Sequence, residues 1–164
     1  MAVPANDIVN IKTTYDIIFT TGSTGTIGKI VINFGPGTGA ISPELIERSN
    51  IGSGSLTNIA TVLGSTMTYT VDNPVSVVAG TTIRLEIGQI FNSDITSISS
   101  VTVTTKTSSD TIIDGPTDSL GFQLKQIAGP EIESNSITTE KIASSTITDS
   151  DIKPQTVTGN KIAP

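Results

Sequence analysis

The chain contains no cysteine, no histidine and no tryptophan. Without cysteine there is neither a disulfide nor a thiol nucleophile. Without histidine, a histidine-based triad and an ordinary zinc site are both excluded. A cysteine-free chain carries no record of its redox compartment. Aromatic residues make up 4% of the sequence, few for the ring platforms that sugar-binding sites usually use. Basic residues are scarce too: nine Lys and Arg stand against fifteen Asp and Glu, for a formal net charge of −6. That balance argues against nucleic acid, whose phosphates need a basic face, and against anionic lipid heads. No apolar run approaches the roughly 18 residues needed to span a bilayer, so membrane insertion is not expected. The opening MAVPANDIVN lacks the basic and apolar regions of a secretory leader. An exported form is therefore expected to have lost its leader. No Asn lies in an N-x-Ser/Thr sequon.

What remains is rich in Thr, Ser, Ile, Val and Gly. β-branched side chains lose rotamer freedom in helices and fit a pleated surface, so this composition favours strands and turns. At 164 residues the chain suits one domain of ordinary size with an appendage. From about residue 7 to residue 127 it alternates apolar and polar residues with period two. Tyr15, Ile17 and Phe19 share one face, as do Ile30, Ile32 and Phe34. Met67, Tyr69 and Val71 repeat the pattern, as do Ile83, Leu85 and Ile87 with Arg84 and Glu86 opposite. Val101 with Val103, and Leu120 with Phe122 and Leu124, complete it. One buried and one wet face per strand predicts antiparallel sheets packed as a sandwich. TGSTGTIG, GPGTG, VDNP and IDGPTD carry turn chemistry, and SPELIERS predicts one helical turn with Ser42 as N-cap and Pro43 first in the helix. Seven to nine strands in residues 1–128 suit an immunoglobulin-like β-sandwich without its disulfide or buried Trp; a jelly roll or small barrel is the other reading.

Residues 129–164 differ. After Gly129 and Pro130, a ten-residue unit repeats: SITTEKIASS, TITDSDIKPQ, TVTGNKIAP. An Ile or Val falls on every fifth position, at Ile132, Ile137, Ile142, Ile147, Ile152, Val157 and Ile162, in phase with Ile127. Five residues advance 140° around a helix, and an odd spacing alternates faces in a flat strand. Neither geometry makes one apolar stripe. A chain that turns after a few extended residues does, as in β-solenoids and intertwined β-fibres. A four-sided pentapeptide solenoid wants small residues two before each apolar one, and Glu140 and Gln155 fit that badly. Burial of a handful of Ile side chains does not offset the backbone entropy of a segment this long. The tail is thus expected to need partners, as a β stalk or as a strand-adding connector between subunits; a flexible linker is the plainer reading.

KIASSTIT and KPQTVTGNKIAP resemble the ITxxKIADGTIT-type stalk repeats of phage tail fibres and of large bacterial and archaeal surface proteins, except that the usual Gly before Thr is missing. NPVSVVAGTTIRLEIGQIFN, VTVTTKT and IIDGPT are similar to an immunoglobulin-like domain of archaeal cell-surface proteins. Both resemblances imply structural or adhesive roles outside the cell, and neither brings a catalytic motif.

Candidate chemistry is thin. TGSTGTIGKI departs from a phosphate-binding loop, with five residues between Gly22 and Gly28 and Ile30 after Lys29. Asp149 with Asp151, Asp110 with Asp114, and Asp94 beside Asn92 are the acidic pairs to consider for calcium, without EF-hand spacing. Glu44, Glu47 and Glu86 are the carboxylates available for glycoside hydrolysis. Lys12, Lys29, Lys106 and Lys125 are candidates for an isopeptide bond, against the commoner snorkelling lysine. The expectation is a non-enzymatic extracellular structural protein without cofactor, assembling with itself through sandwich edges and the stripe. The alternative is an attachment module that binds a glycan or protein through loops such as 50–55 or 92–98.

Overall fold

The computed structural model describes residues 1–61, 64–96 and 98–127 with 137, 138 and 142, and at 40, 41, 60, 61 and 64 the backbone alone. The chain divides into two compact units, Met1–Gln126 and Ile127–Pro164. The first is all-β and antiparallel, with no helix among the described residues.

Its strands are β1 (Ala2–Pro4), β2 (Lys12–Thr20), β3 (Gly25–Phe34), β4 (Gly39–Ser49), β5 (Gly54–Thr61) and β6 (Gly64–Val77). Then come β7 (Thr82–Phe91), β8 (Ile98–Ser99), β9 (Val101–Lys106), β10 (Ile112–Asp118) and β11 (Phe122–Gln123). One sheet runs β1-β2-β7-β4, a second runs β10-β9-β3-β6-β5, and β11 pairs with β8 apart from both. The inward residues of the two large sheets form a single core, the arrangement of a β-sandwich.

Alternation explains which residues enter that core. Tyr15 and Ile17 from β2 and Ile83, Leu85 and Ile87 from β7 are buried, as are Ile30 and Ile32 from β3 and Met67 and Tyr69 from β6. Each such Ile or Leu contributes about 1.5–3 kcal/mol by leaving water. Phe34 meets Tyr15 edge-on across the two sheets, with ring centroids 5.1 Å apart, and Phe122 approaches the same tyrosine at 5.8 Å.

Three expectations are corrected. SPELIERS is no helical turn: it lies within β4, an edge strand, and its N-cap signal is overridden by pairing with β7. Pro43 is accommodated there by a register shift between Ala40 and Glu44, the setting in which a strand tolerates proline. VDNP and IDGPTD do not end strands. The first is spread along β6 where the register against β3 jumps from Val75 to Thr70, and the second is the irregular strand β10, with register shifts on both sides of Asp114. Their Gly and Pro residues make bulges instead of reversals. Lastly, Leu120 does not share the inward face of Leu124: it is 84% exposed while Leu124 is buried, because the regular strand in this segment is only two residues long. GPGTG is the turn its composition predicts, with Gly37 at φ 79°.

Candidate functional site

Two of the carboxylates considered for hydrolysis, Glu47 and Glu86, are engaged by an arginine. Asp16, Glu86 and Glu47 stand side by side across β2, β7 and β4. Arg84, two residues along β7, bonds all three: its Nε donates to Asp16 at 2.7 Å, one terminal nitrogen donates to Glu86 at 3.0 Å, and the other donates to Glu47. Hydrogen bonds to Asp16 and Glu47 hold the guanidinium pKa above its ordinary value. The sequence places Arg84 beside Glu86 on one outward face and offers Glu47 as a candidate, but nothing in it singled out Asp16 as their partner. The outward i, i+2 alternation was the available signal. Glu44 lies apart, opposite Gly88. With Lys12, Ser42, Gln89 and Phe91 it lines a shallow depression on the outer side of this sheet. Gln89 is left-handed at φ 64° beside the register shifts of β7, and the Lys12 ammonium lies 5.7 Å from the centroid of Phe91.

Of the acidic residues considered for calcium, Asp110 and Asp114 have other partners. Lys29 binds Asp110 at 2.8 Å and lowers its pKa. Asp114 accepts a hydrogen bond from the Gly22 amide at 3.2 Å. Asn92 is internal: it accepts from the Tyr15 hydroxyl at 2.7 Å and donates to the carbonyls of Asn6 and Ile8 at 2.7 and 2.8 Å. Burial raises the Tyr15 pKa, so the phenol stays protonated and keeps donating. Asp94 is exposed, and Asp149 and Asp151 lie outside the described residues. Among the described residues no group of three metal-ligating side chains converges. The lysines considered for covalent cross-linking make the following contacts. Lys29 pairs with Asp110, Lys125 pairs with Asp7 at 3.4 Å, Lys106 adds charge near Asp110, and Lys12 caps Phe91.

Of the two loops considered for recognition, 92–98 begins inside the fold, with Asn92 and Ser93 buried and 94–96 exposed. The other, 50–55, crosses between the sheets and enters β5. Asn50 donates to the Thr82 carbonyl at 2.7 Å, and Gly52 accepts from the Tyr69 hydroxyl at 2.6 Å.

The sheet edges differ sharply. Two sheets present four edges: β1, β4, β10 and β5. Edge strands expose unpaired amides and carbonyls, which proteins usually guard with short length, charge, proline or bulges. β1 is three residues long and ends in Pro4. β4 carries Pro43, Glu44, Glu47 and Arg48 and two register shifts. β10 carries Asp114, Pro116 and Asp118 and also two register shifts. β5, GSLTNIAT, has eight residues, no charge and no proline, and its register against β6 runs unbroken from Gly54 with Val71 to Thr61 with Gly64.

Of the tail stripe, Ile137 and Ile142 are described and are 55% and 41% exposed, and Ile127 is 55% exposed. Ile132, Ile147, Ile152, Val157 and Ile162 lie outside the described residues. In comparisons with known proteins, no protein-family model and no curated protein matches the chain.

Proposed function

We propose that the protein is a non-enzymatic, extracellular structural protein that assembles with itself into a fibre, filament or surface appendage, using a sandwich edge and the repeat tail. The observation that carries this reading is the contrast among the edges. Three are guarded and one, β5, is long, neutral and regular. The exposed Ile137 and Ile142, the two described isoleucines of the tail repeat, support it from a second direction, since apolar side chains in strict period lose their water contact only against a partner. The resemblance of the tail to stalk repeats points the same way.

An immunoglobulin-like classification of the sandwich belongs to the same reading. The order β1-β2-β7-β4 opposite β10-β9-β3-β6-β5 has the four-plus-five strand layout of a variable-type immunoglobulin domain. The chain visits β4, β5 and β6 in a different sequence from the corresponding strands of that fold, so the likeness is one of layout.

Electron microscopy of the full chain, purified without any ligand, tests the proposal. Filaments or particles of uniform multiple mass are expected, and a field of monomers overturns it. The depression around Gln89 favours a second reading, attachment to a glycan, because it combines an aromatic ring with amide, carboxylate, hydroxyl and ammonium groups. Glycan-array binding that Gln89→Ala and Glu44→Ala abolish would establish that alternative.

A further inference from the structure

We infer that β5 is a self-pairing edge: two copies of this chain join β5 to β5 antiparallel about a two-fold axis, fusing their five-stranded sheets into one continuous sheet. This inference deepens the assembly reading, and rests on it for the existence of an oligomer, by naming the strand and the partner.

The partner follows from charge and from the other edges. The chain carries a net charge of −6, so two copies repel unless they meet through a neutral surface. Among the four edges, β5 is the one strand of more than three residues without a charged side chain. Within a copy of the same chain, the matching long, neutral, unbroken edge is again β5, since β4 and β10 are interrupted by bulges and proline. Among the described residues no strand occupies its outer side.

The faces also match. Ser55, Thr57 and Ile59 point to solvent, while Leu56 on the opposite face packs against the core. Residues directly opposite in an antiparallel pair share a face. A two-fold register that sets odd positions against odd keeps both Leu56 side chains on the core side and lays Ile59, now 68% exposed, over its neighbour's Ser55, Thr57 or Ile59. A one-residue slip would turn Leu56 outward, which fixes the parity of the register. Gly54 opens the strand where a Cβ would strike the Thr70 carbonyl oxygen and lie 2.8 Å from the Tyr69 ring, so β5 lies close against β6 along its start.

A two-fold contact is isologous and closes on itself, giving dimers. A strand of eight residues buries well under the roughly 1,000 Å² of a strong interface. The β5 contact is therefore weak alone and gains strength when a second contact holds the copies together.

The test is sedimentation of the full chain over a range of concentrations, with two sets of substitutions. Thr57→Lys with Ile59→Lys places like charges across the joint on solvent-facing positions. It is expected to weaken dimer formation about tenfold or more while circular dichroism and melting stay as in the wild type. Ile46→Lys, on the outward face of the guarded edge β4, is expected to leave it unchanged. A wild-type chain that remains monomeric throughout overturns this inference and the assembly reading together. An oligomer that ignores the β5 lysines but is broken by Ile147→Ser with Ile152→Ser overturns the β5 contact alone and leaves assembly through the tail standing.

Discussion

Tyr15 and Asn92 are 77 positions apart in sequence, yet their hydrogen bond is buried and closes a small polar network. Asn92 spends its amide protons on the Asn6 and Ile8 carbonyls, so one side chain ties the N-terminal segment, β2 and the end of β7 together. Removing the phenol oxygen leaves the Asn92 acceptor buried without that donor. Tyr15→Phe should therefore lower unfolding stability by about 1–3 kcal/mol, read from urea denaturation; an unchanged midpoint would show that the network is dispensable. That Tyr15 points inward was legible from its place beside Ile17 and Phe19. Its bond to Asn92 was not, because alternation assigns a face and says nothing of which distant residue arrives there.

Lys29 and Asp110 offer a pH-dependent counterpart. The ammonium holds the Asp110 carboxyl below its ordinary value, so the folded state binds that proton less readily than the unfolded chain. The contribution is complete above the unfolded pKa and is lost as pH falls through the depressed folded pKa. Asp110→Asn should thus shift the denaturation midpoint slightly downward at neutral pH and leave it matching the wild type in acid below the folded value. Asparagine tolerates the left-handed backbone at this position (φ 68°), so the comparison isolates charge. The pair is exposed and its effect small, as surface ion pairs are.

At the scale of elements, period-two patterning located the strands that build the core, since a sandwich forces each to bury one face. It failed where turn-forming residues act inside strands. In isolation Pro43 signals a helix start and Pro74 a reversal, and in the folded sheet both sit beside bulges, because pairing along the rest of β4 and β6 outweighs a local preference. Gly28 illustrates the same limit. Its sequence context invites a phosphate-loop reading, yet the residue is glycine because the Ser108 turn folds onto β3 there. A Cβ on Gly28 would lie 2.5 Å from the Ser108 nitrogen and 2.8 Å from its Cα, both backbone atoms. Gly28→Ala should accordingly cost about 1–3 kcal/mol, whereas Gly35→Ala, with open space around it, should stay within about 0.5 kcal/mol of wild type. Equal melting temperatures for the two variants would refute the close-packing account.

For the whole molecule, the proposed assembly turns on the combination of net negative charge with one neutral edge among the described strands. Self-association of such copies is opposed by long-range repulsion and favoured by short-range pairing. Added salt screens the first and leaves the second nearly intact. Association measured by sedimentation should therefore strengthen between low and moderate ionic strength, and a weakening would mean that ion pairs, not neutral strand pairing, hold the copies together.

The sequence by itself determined an antiparallel all-β body, because side-chain alternation is a local consequence of the strand backbone. It also determined the five-residue spacing of Ile and Val in the tail and the lack of cysteine and histidine side chains in these 164 residues. Only the tertiary structure decided which strands lie at the rims of the sheets. That depends on pairings such as β2 with β7 and β3 with β6, made between residues dozens of positions apart. GSLTNIAT reads as an ordinary polar strand until its neighbours are known; with β6 on one side and no described strand on the other, it becomes the exposed edge on which assembly is proposed to turn.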